Sequence, residues 1–309
     1  MQVHVFFENE VWMPPLREAL ARCGLTVKEH FVDGGYISIH KPPPEGVYIN
    51  RMSPSAHTRG HQGGVLFVRE ILFQLEQLGH RVINGSHAFS LEISKLHQHA
   101  ALEAFGIRTP QTIGVIGKQG LKHEARKMRF PFITKHNQGG KGLGVKLFED
   151  YQSFDAYVDG SGFVNAPDDI TLLQQYIKPR DEAITRVEIV DGKFLYALSA
   201  NTQQGFELCP SDACWPDEIL ENEQPPPLFA YREEITADDD LVQKLVAFTQ
   251  KHQLDVAGIE WVEDEAGNRY VYDINGTSNY NAEVEAVHGI HGMDAIADLV
   301  ARELVAASW

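Results

Sequence analysis

Apolar and polar positions follow two alternating rhythms along residues 1–90. VHVFF (Val3–Phe7) has the near-continuous apolar character of a strand buried on both faces. PPLREALARCG then places Leu16, Leu20 and Cys23 at helical spacing, with Gly24 as a stop signal. LTVKEHF and Gly46–Asn50 read as strands. GVLFVREILFQLEQLGH puts apolar residues at 65, 68, 71, 72, 75 and 78, a single helical stripe that ends at Gly79. RVING is a short strand. This alternation predicts an open α/β sheet.

The rhythm then changes. SLEISKLHQHAALEAFGIRTPQT reads as a helix capped by Ser90, closed by Gly106 and ended by Pro110. TIGVIG, FPFITKH, GVKLF and TLLQQYIK are strands, and Asp191-Gly192 joins two more in EAITRVEIVDGKFLYALSA. Residues 201–235 read as irregular. TADDDLVQKLVAFTQKH is a helix with Thr236 as N-cap. GIEWVEDEAGNRYVYDING is a second hairpin, and a helix from about Met293 to Ala306 follows.

With 309 residues, the chain has room for two or three packed units. Its formal charge of −16 argues against general binding of nucleic acid or an anionic membrane, and no run is long enough to span a bilayer. The start, MQVHVFFENE, lacks a basic n-region, and cysteines occur only at 23, 209 and 214. Both features fit a reducing cytoplasm.

Two constellations carry chemistry. The first is NQGGKGLGV, between the strands FPFITKH and GVKLF. Lys141 is followed by Gly142 rather than Ser or Thr, and a strand rather than a helix comes next. Neither the P-loop nor the dinucleotide fingerprint fits. A glycine-rich hairpin flap whose backbone N–H groups face a polyphosphate fits; so does an ordinary hairpin tip. The second is acidic. Glu260 lies on one strand of the last hairpin, with Asp273 and Asn275 two apart on the next. A turn over Glu265–Asn268 would set Glu260 opposite Asp273. Two carboxylates and an amide oxygen suit Mg²⁺, although Asp273 could instead face solvent.

Taken in order, ISKLHQHAALEAFGIRTPQT with Lys95, Lys135 with NQGGKGLGV, LLQQYIKP, Arg186, DVAGIEW and YDINGTSNYN resemble an ATP-grasp carboxylate–amine ligase of the RimK type. The resemblance covers roughly residues 85–309. It implies an N-terminal α/β domain (1–90), a central grasp lobe with the flap (91–175) and a C-terminal lobe with the metal site (176–309). It also implies that Lys95 and Lys135 contact ATP phosphates, and that Gly139, Gly140, Lys141, Gly142 and Gly144 cover the triphosphate. Gln175, Tyr176 and Ile177 would read adenine through the backbone. Glu260, Asp273 and Asn275 would hold magnesium, usually two ions and replaceable by manganese. Arg186 would steady an acyl phosphate. An ATP-grasp kinase or a non-catalytic nucleotide-binding module are the competing functions.

The chain departs from the RimK pattern on the acceptor side. Ile184 stands where an acid usually holds ribose, with Glu182 or Asp181 as replacements through a shifted loop. The metal strand is followed by NGTSN without proline, and SANTQQGFELCPSDACW replaces the basic residues after Arg186. Glutamate is therefore not carried over as substrate. The substrate classes left open are small carboxylates and amines, including a peptide or protein terminus, and a homo-oligomer is also open. Arg51 and Arg59, in YINRMSPSAHTRGHQGG with His57 and His61, are candidates for a substrate carboxylate. Asn201 and Asn279 are candidates for either substrate. Cys209 and Cys214 lack zinc spacing and fit a pocket wall better.

Overall fold

β1 (Gln2–Phe7) lies between two parallel neighbours, β2 (Val27–Phe31) and β3 (Gly46–Arg51), and β4 (Arg81–Ile83) extends the sheet beyond β3. The computed structural model describes residues 2–140, 142, 144–202 and 228–307. Helices α1 (Pro14–Arg22) and α2 (Gln62–Gln77) make the crossovers, α2 burying Val65, Val68, Leu72 and Leu75. The strand–helix alternation of the sequence is thus met, and the register Phe7↔Arg51 sets Arg51 at the carboxyl end of the sheet.

His4 of β1 is buried, its Nδ1 3.0 Å from Nε2 of His30 and its ring stacked on Tyr48. Burial and then the neighbouring His30 charge push its pKa down from 6.5 to about 4. His99 is also held at about 4, chiefly by burial. Both rings fold neutral and take up protons more readily when unfolded, so their contribution is complete above pH 6.5 and is lost as pH falls toward 4. The thermal midpoint should therefore fall across that window, and His4→Phe should flatten part of the fall. Parallel curves for the two proteins in calorimetric scans would refute the assignment to His4.

The single helix read from Ser90 is two helices, α3 (Ser86–Glu92) and α4 (Lys95–Ala104). Ser94 is extended (φ −138°, ψ 109°) and accepts a hydrogen bond from the His97 N–H, while the Ser90 hydroxyl donates to the His87 carbonyl. A competing side-chain cap at Ser94 splits the apolar stripe. Lys95 becomes the first residue of a new helix.

The second sheet is antiparallel, built from β5 (Thr112–Ile116), β6 (Phe132–His136), β7 (Lys146–Phe148) and β8 (Ile170–Gln175) in the order β5-β8-β6-β7. Helices α5 (Leu121–Ala125) and α6 (Tyr151–Asp159) cover it over a core that includes Phe132, Phe148 and Phe154. The glycine-rich loop does join two antiparallel strands, Thr134 pairing with Lys146.

The third sheet comprises β9 (Ala183–Val190), β10 (Lys193–Asn201), β11 (Phe229–Tyr231), β12 (Val256–Glu263) and β13 (Arg269–Asn275), ordered β11-β10-β9-β12-β13. Asp191 (φ 54°) and Gly192 (φ 64°) make the expected hairpin turn. α7 (Asp240–Lys251) packs on this sheet. Its cap is Asp239, which accepts from the Leu241 and Val242 N–H groups, and not Thr236, which accepts from the Asp238 N–H. β11 and α8 (Ala282–His288) fall where the sequence shows no clear period. α9 (Gly292–Ala306) returns to the first sheet, where Ile296 and Val300 share a core with Val3, Leu16, Leu20 and Val47. Among the described residues no helix is long and apolar enough to cross a membrane.

Candidate active site

Glu260 on β12 does stand opposite Asp273 on β13, though by another route than the sequence suggests. Glu263 pairs with Arg269, one step out of the expected register, because Asp264 closes the turn by accepting from the Ala266 and Asn268 N–H groups. An irregularity between Glu260 and Trp261 then restores the facing pair. Bulges re-aim side chains in this way beside functional sites.

Three cations surround the two acids. Lys95 Nζ lies 2.7 Å from Asp273 Oδ1 and Lys135 Nζ lies 3.9 Å from the same oxygen. Lys135 also sits 5.0 Å over the Tyr272 ring. Arg186 on β9 places Nη1 2.8 Å from Glu260 Oε1, Nε 2.5 Å from Glu188 Oε1 and Nη2 3.0 Å from Ser278 Oγ. All of these side chains are largely withdrawn from water. Burial alone would raise the Asp273 carboxyl, but Lys95 and then Lys135 outweigh it and hold it down at about 2. Burial raises Glu260 against the pull of Arg186, with Asp273 pushing the same way. Burial also lowers Lys135 to about 8. The site is a tight set of opposed charges, which a polyanion with its own cation would rearrange.

A cavity of about 320 Å³ opens over these groups. The glycine loop roofs it through Gly139, Gly140 and Gly142, and the Gly139 carbonyl accepts from Lys95 Nζ at 3.5 Å. Gly144 has φ +75°, and a Cβ there would meet the His136 ring at 2.5 Å, so this position requires glycine. At the far end, Gln175, Tyr176 and Ile177 line the cavity with Ile133, Ile184 and Val262. The Tyr176 N–H is spent on the Pro131 carbonyl. Among the described residues the Ile177 N–H has no backbone partner, as an adenine edge would need.

Some expected residues lie elsewhere. Glu182 is exposed, with φ 53°, and neither it nor Asp181 lines the cavity; Ile184 and Thr202 do. Asn201 ends β10 beside that wall without lining it. Arg59 is tied to Glu8, which also holds His61, so the basic patch read from the sequence is neutralised by an acid. Arg51 donates to the Ser278 carbonyl at 2.8 Å and to Asn279 Oδ1 at 2.9 Å, and lines nothing. It holds Asn279, which does line the cavity, in place. Lys141, Cys209, Cys214 and the 203–207 part of NTQQGFE lie outside the described residues.

Two buried acids went unread. Glu188 follows Arg186 by two on β9, so the strand period alone puts them on one face. Glu92 ends α3 and lines the cavity; the one-helix reading hid it.

Glu260, Asp273 and Asn275 form an all-oxygen donor set, and among the described residues no group of three His, Cys, Asp or Glu gathers for a metal. Few hard protein donors beside an open cavity fit Mg²⁺, which takes its remaining ligands from phosphate and water. Asn275 now turns its Nδ2 toward Asp273 Oδ2, at 3.5 Å, and an amide flip would present oxygen instead.

Three sheets, with a glycine-rich hairpin on the second and a lysine–carboxylate–arginine cluster against the third, have the architecture of the ATP-grasp fold. Residues 93–207 match the model of the RimK-like ATP-grasp domain family. A probable alpha-L-glutamate ligase of Aeromonas salmonicida (strain A449) is 27% identical over 140 residues, 44% of this chain and 45% of the relative. The chain thus spans about half the length of the curated relatives it matches. The crystal structure of a RimK domain ATP-grasp protein from Sphaerobacter thermophilus superposes with a TM-score of 0.69 at 16% identity, over 96% of this chain and 98% of that one. D-alanine–D-alanine ligase from Bacillus anthracis gives 0.65 at 17% identity, over 98% and 97%. The resemblance read from the motifs agrees with these matches.

Proposed function

We propose that this chain is an ATP- and magnesium-dependent ligase that joins a carboxylate to an amine through an acyl phosphate. One observation carries the reading. Lys95, Lys135, Arg186, Glu260 and Asp273 meet at a single cavity, beneath a glycine loop and next to an apolar wall of Ile133, Ile184 and Val262. No Ser or Cys nucleophile is needed, because positioning and charge stabilisation suffice for phosphoryl transfer.

In this reading Lys95 and Lys135 turn from Asp273 toward the triphosphate. The loop through Gly139, Gly140, Lys141, Gly142 and Gly144 covers the phosphates and keeps water from the acyl phosphate. Gln175 and Ile177 hold adenine by backbone groups, and Thr202 takes the ribose side that Glu182 does not reach. Magnesium, as two ions that manganese can replace, would sit on Glu260, Asp273 and Asn275 and offset the charge spreading over the transferring group. Arg186 stays charged between Glu188 and Glu260 and would steady the acyl phosphate oxygens by turning Nη2 to them from Ser278 Oγ. The substrates are a small acid, an amino acid or a peptide, met in the cytoplasm. The divisions at 90 and 175 separate the three sheets into substrate, flap and metal units.

The test is ADP and phosphate release with Mg-ATP across a grid of carboxylates and amines, with mass spectrometry of products. Release needing both partners, with a product one water lighter than their sum, is expected. A phosphorylated product released with one partner alone would replace the ligase by a kinase.

A further inference from the structure

The end of the cavity away from the adenine slot has its own charge pattern. Trp12, Ser53, Pro54, Ser55, Glu92 and Thr277 line it. Two of the arginines around it are paired with acids, Arg59 with Glu8 and Arg186 with Glu188 and Glu260; Arg51 gives its Nη atoms to the Ser278 carbonyl and Asn279, keeps a buried Nε without a partner, and does not line the cavity. Glu92 is the reverse case. It is 4% exposed, its Oε1 accepts the Thr277 N–H at 2.8 Å, and among the described residues no cation comes within 4.0 Å of its carboxylate. Arg51 is the cation whose charge acts on it, and the Arg51 Nη donors point to the 278–279 backbone and side chain instead.

A buried carboxylate is costly unless it is paired or fully hydrogen-bonded. One that lines a cavity and lacks an ion-pair partner is completed by a cation that arrives with the ligand. We propose that Glu92 is the ammonium subsite for the amine substrate, so that the acceptor enters as a primary amine with no further anionic group at this end of the cavity. The assignment rests on the ligase reading above and narrows its substrate class. An acceptor bearing two carboxylates would find, among the described residues that line this end, no cation to receive them, which separates this chain from enzymes whose acceptor is glutamate. The protonation of Glu92 agrees. Burial pushes the carboxyl up to about 7 although the Thr277 hydrogen bonds, Arg51 and the Gly276 N–H pull it down, and a ligand cation beside it would lower it further.

Glu92 also props the Gly276–Thr277 turn after β13, and the test must separate the two roles. Glu92→Gln keeps an oxygen for the Thr277 N–H and removes only the charge. Ethylammonium is the probe, with ethanol and acetate as neutral and anionic controls, read by saturation-transfer NMR on the full chain loaded with Mg-AMPPNP. Ethylammonium should bind the wild type and bind Glu92→Gln about tenfold or more weakly, the scale of a charged hydrogen bond. Acetate should show no dependence on Glu92. Equal ethylammonium binding by both proteins, or none by the wild type, overturns the subsite. Calorimetry of AMPPNP is run in parallel. If the wild type does not bind nucleotide, the ligase reading falls, and the ethylammonium result on the unloaded protein still decides the subsite. With the substrate pair from the grid, the preference of Glu92→Gln for the amine over hydroxylamine, which is uncharged at neutral pH, should fall about tenfold. Equal losses with both nucleophiles would leave Glu92 a prop for the turn.

Discussion

Asp273→Asn should lower ATP turnover by about 10³-fold or more while the chain stays folded. Asp273 is the one acid shared by both lysines, at 2.7 and 3.9 Å, and it faces Glu260. Asparagine keeps an oxygen for Lys95 Nζ, so the buried ammonium groups keep an acceptor and the packing survives. What disappears is one of the two charges able to hold a divalent cation. The two lysines, no longer neutralised, should attract free triphosphate at least as well as before. Calorimetry should therefore find AMPPNP binding retained without magnesium, and little further gain when magnesium is added. Wild-type turnover in the variant would remove Asp273 from the metal site. Loss of nucleotide binding with and without magnesium would mean that Asp273 organises the lysines and little else.

Arg186→Met should have the largest effect on stability, about 3–5 kcal/mol, with a fall in thermal midpoint on the order of 10 °C. The guanidinium is 5% exposed and serves two carboxylates, Glu188 at 1% and Glu260 at 9%. Methionine fills the space, leaves Glu188 buried without a counter-charge, and leaves Glu260 with only the weaker pull of Lys135. Removing one partner of a buried pair costs far more than the pair contributes. Burial already raises Glu188 and Glu260 with Arg186 present, so without it both carboxyls move further up. The deficit of the variant should shrink as pH falls and these groups take up protons. Adding Glu188→Gln should recover part of the loss. A variant as stable as the wild type at pH 7 would show that the network does not carry the core of this sheet. An activity loss in Arg186→Met says little about catalysis until Arg186→Lys, which keeps a charge, is measured beside it.

The parts of the site that follow strand period were legible from the chain. Asp273 and Asn275 share a face by count, and the glycine loop reads as a hairpin flap because a strand follows it. Glu188 shares a face with Arg186 by the same count, but an acid two residues from an arginine on a strand carries no signal of its burial until the sheet and Ser278 close over it. Other features depended on choices between near-equal local options. Ser90 and Ser94 both suit a helix start, and the cap at Ser94 is joined by contacts no local pattern shows, Asn137 Oδ1 accepting the Leu96 N–H and α4 packing against β13. Asp239 wins over Thr236 because it also holds Arg269 at 2.8 Å. The commitments of Arg51 and Arg59 are set by residues 227 and 51 positions away, which no local pattern encodes.

α9 has a consequence for how the chain is made. Its Ile296 and Val300 complete a core whose other members include Val3, Val5 and Leu16. On a ribosome, the first sheet emerges long before the residues that cover it. Its apolar face stays open until α9 has followed, so α9 acts as the closing step of that sheet. Truncation within α9 should then leave the N-terminal sheet sticky rather than merely shorter, and the burden of keeping nascent chains apart falls on the cell's holding chaperones.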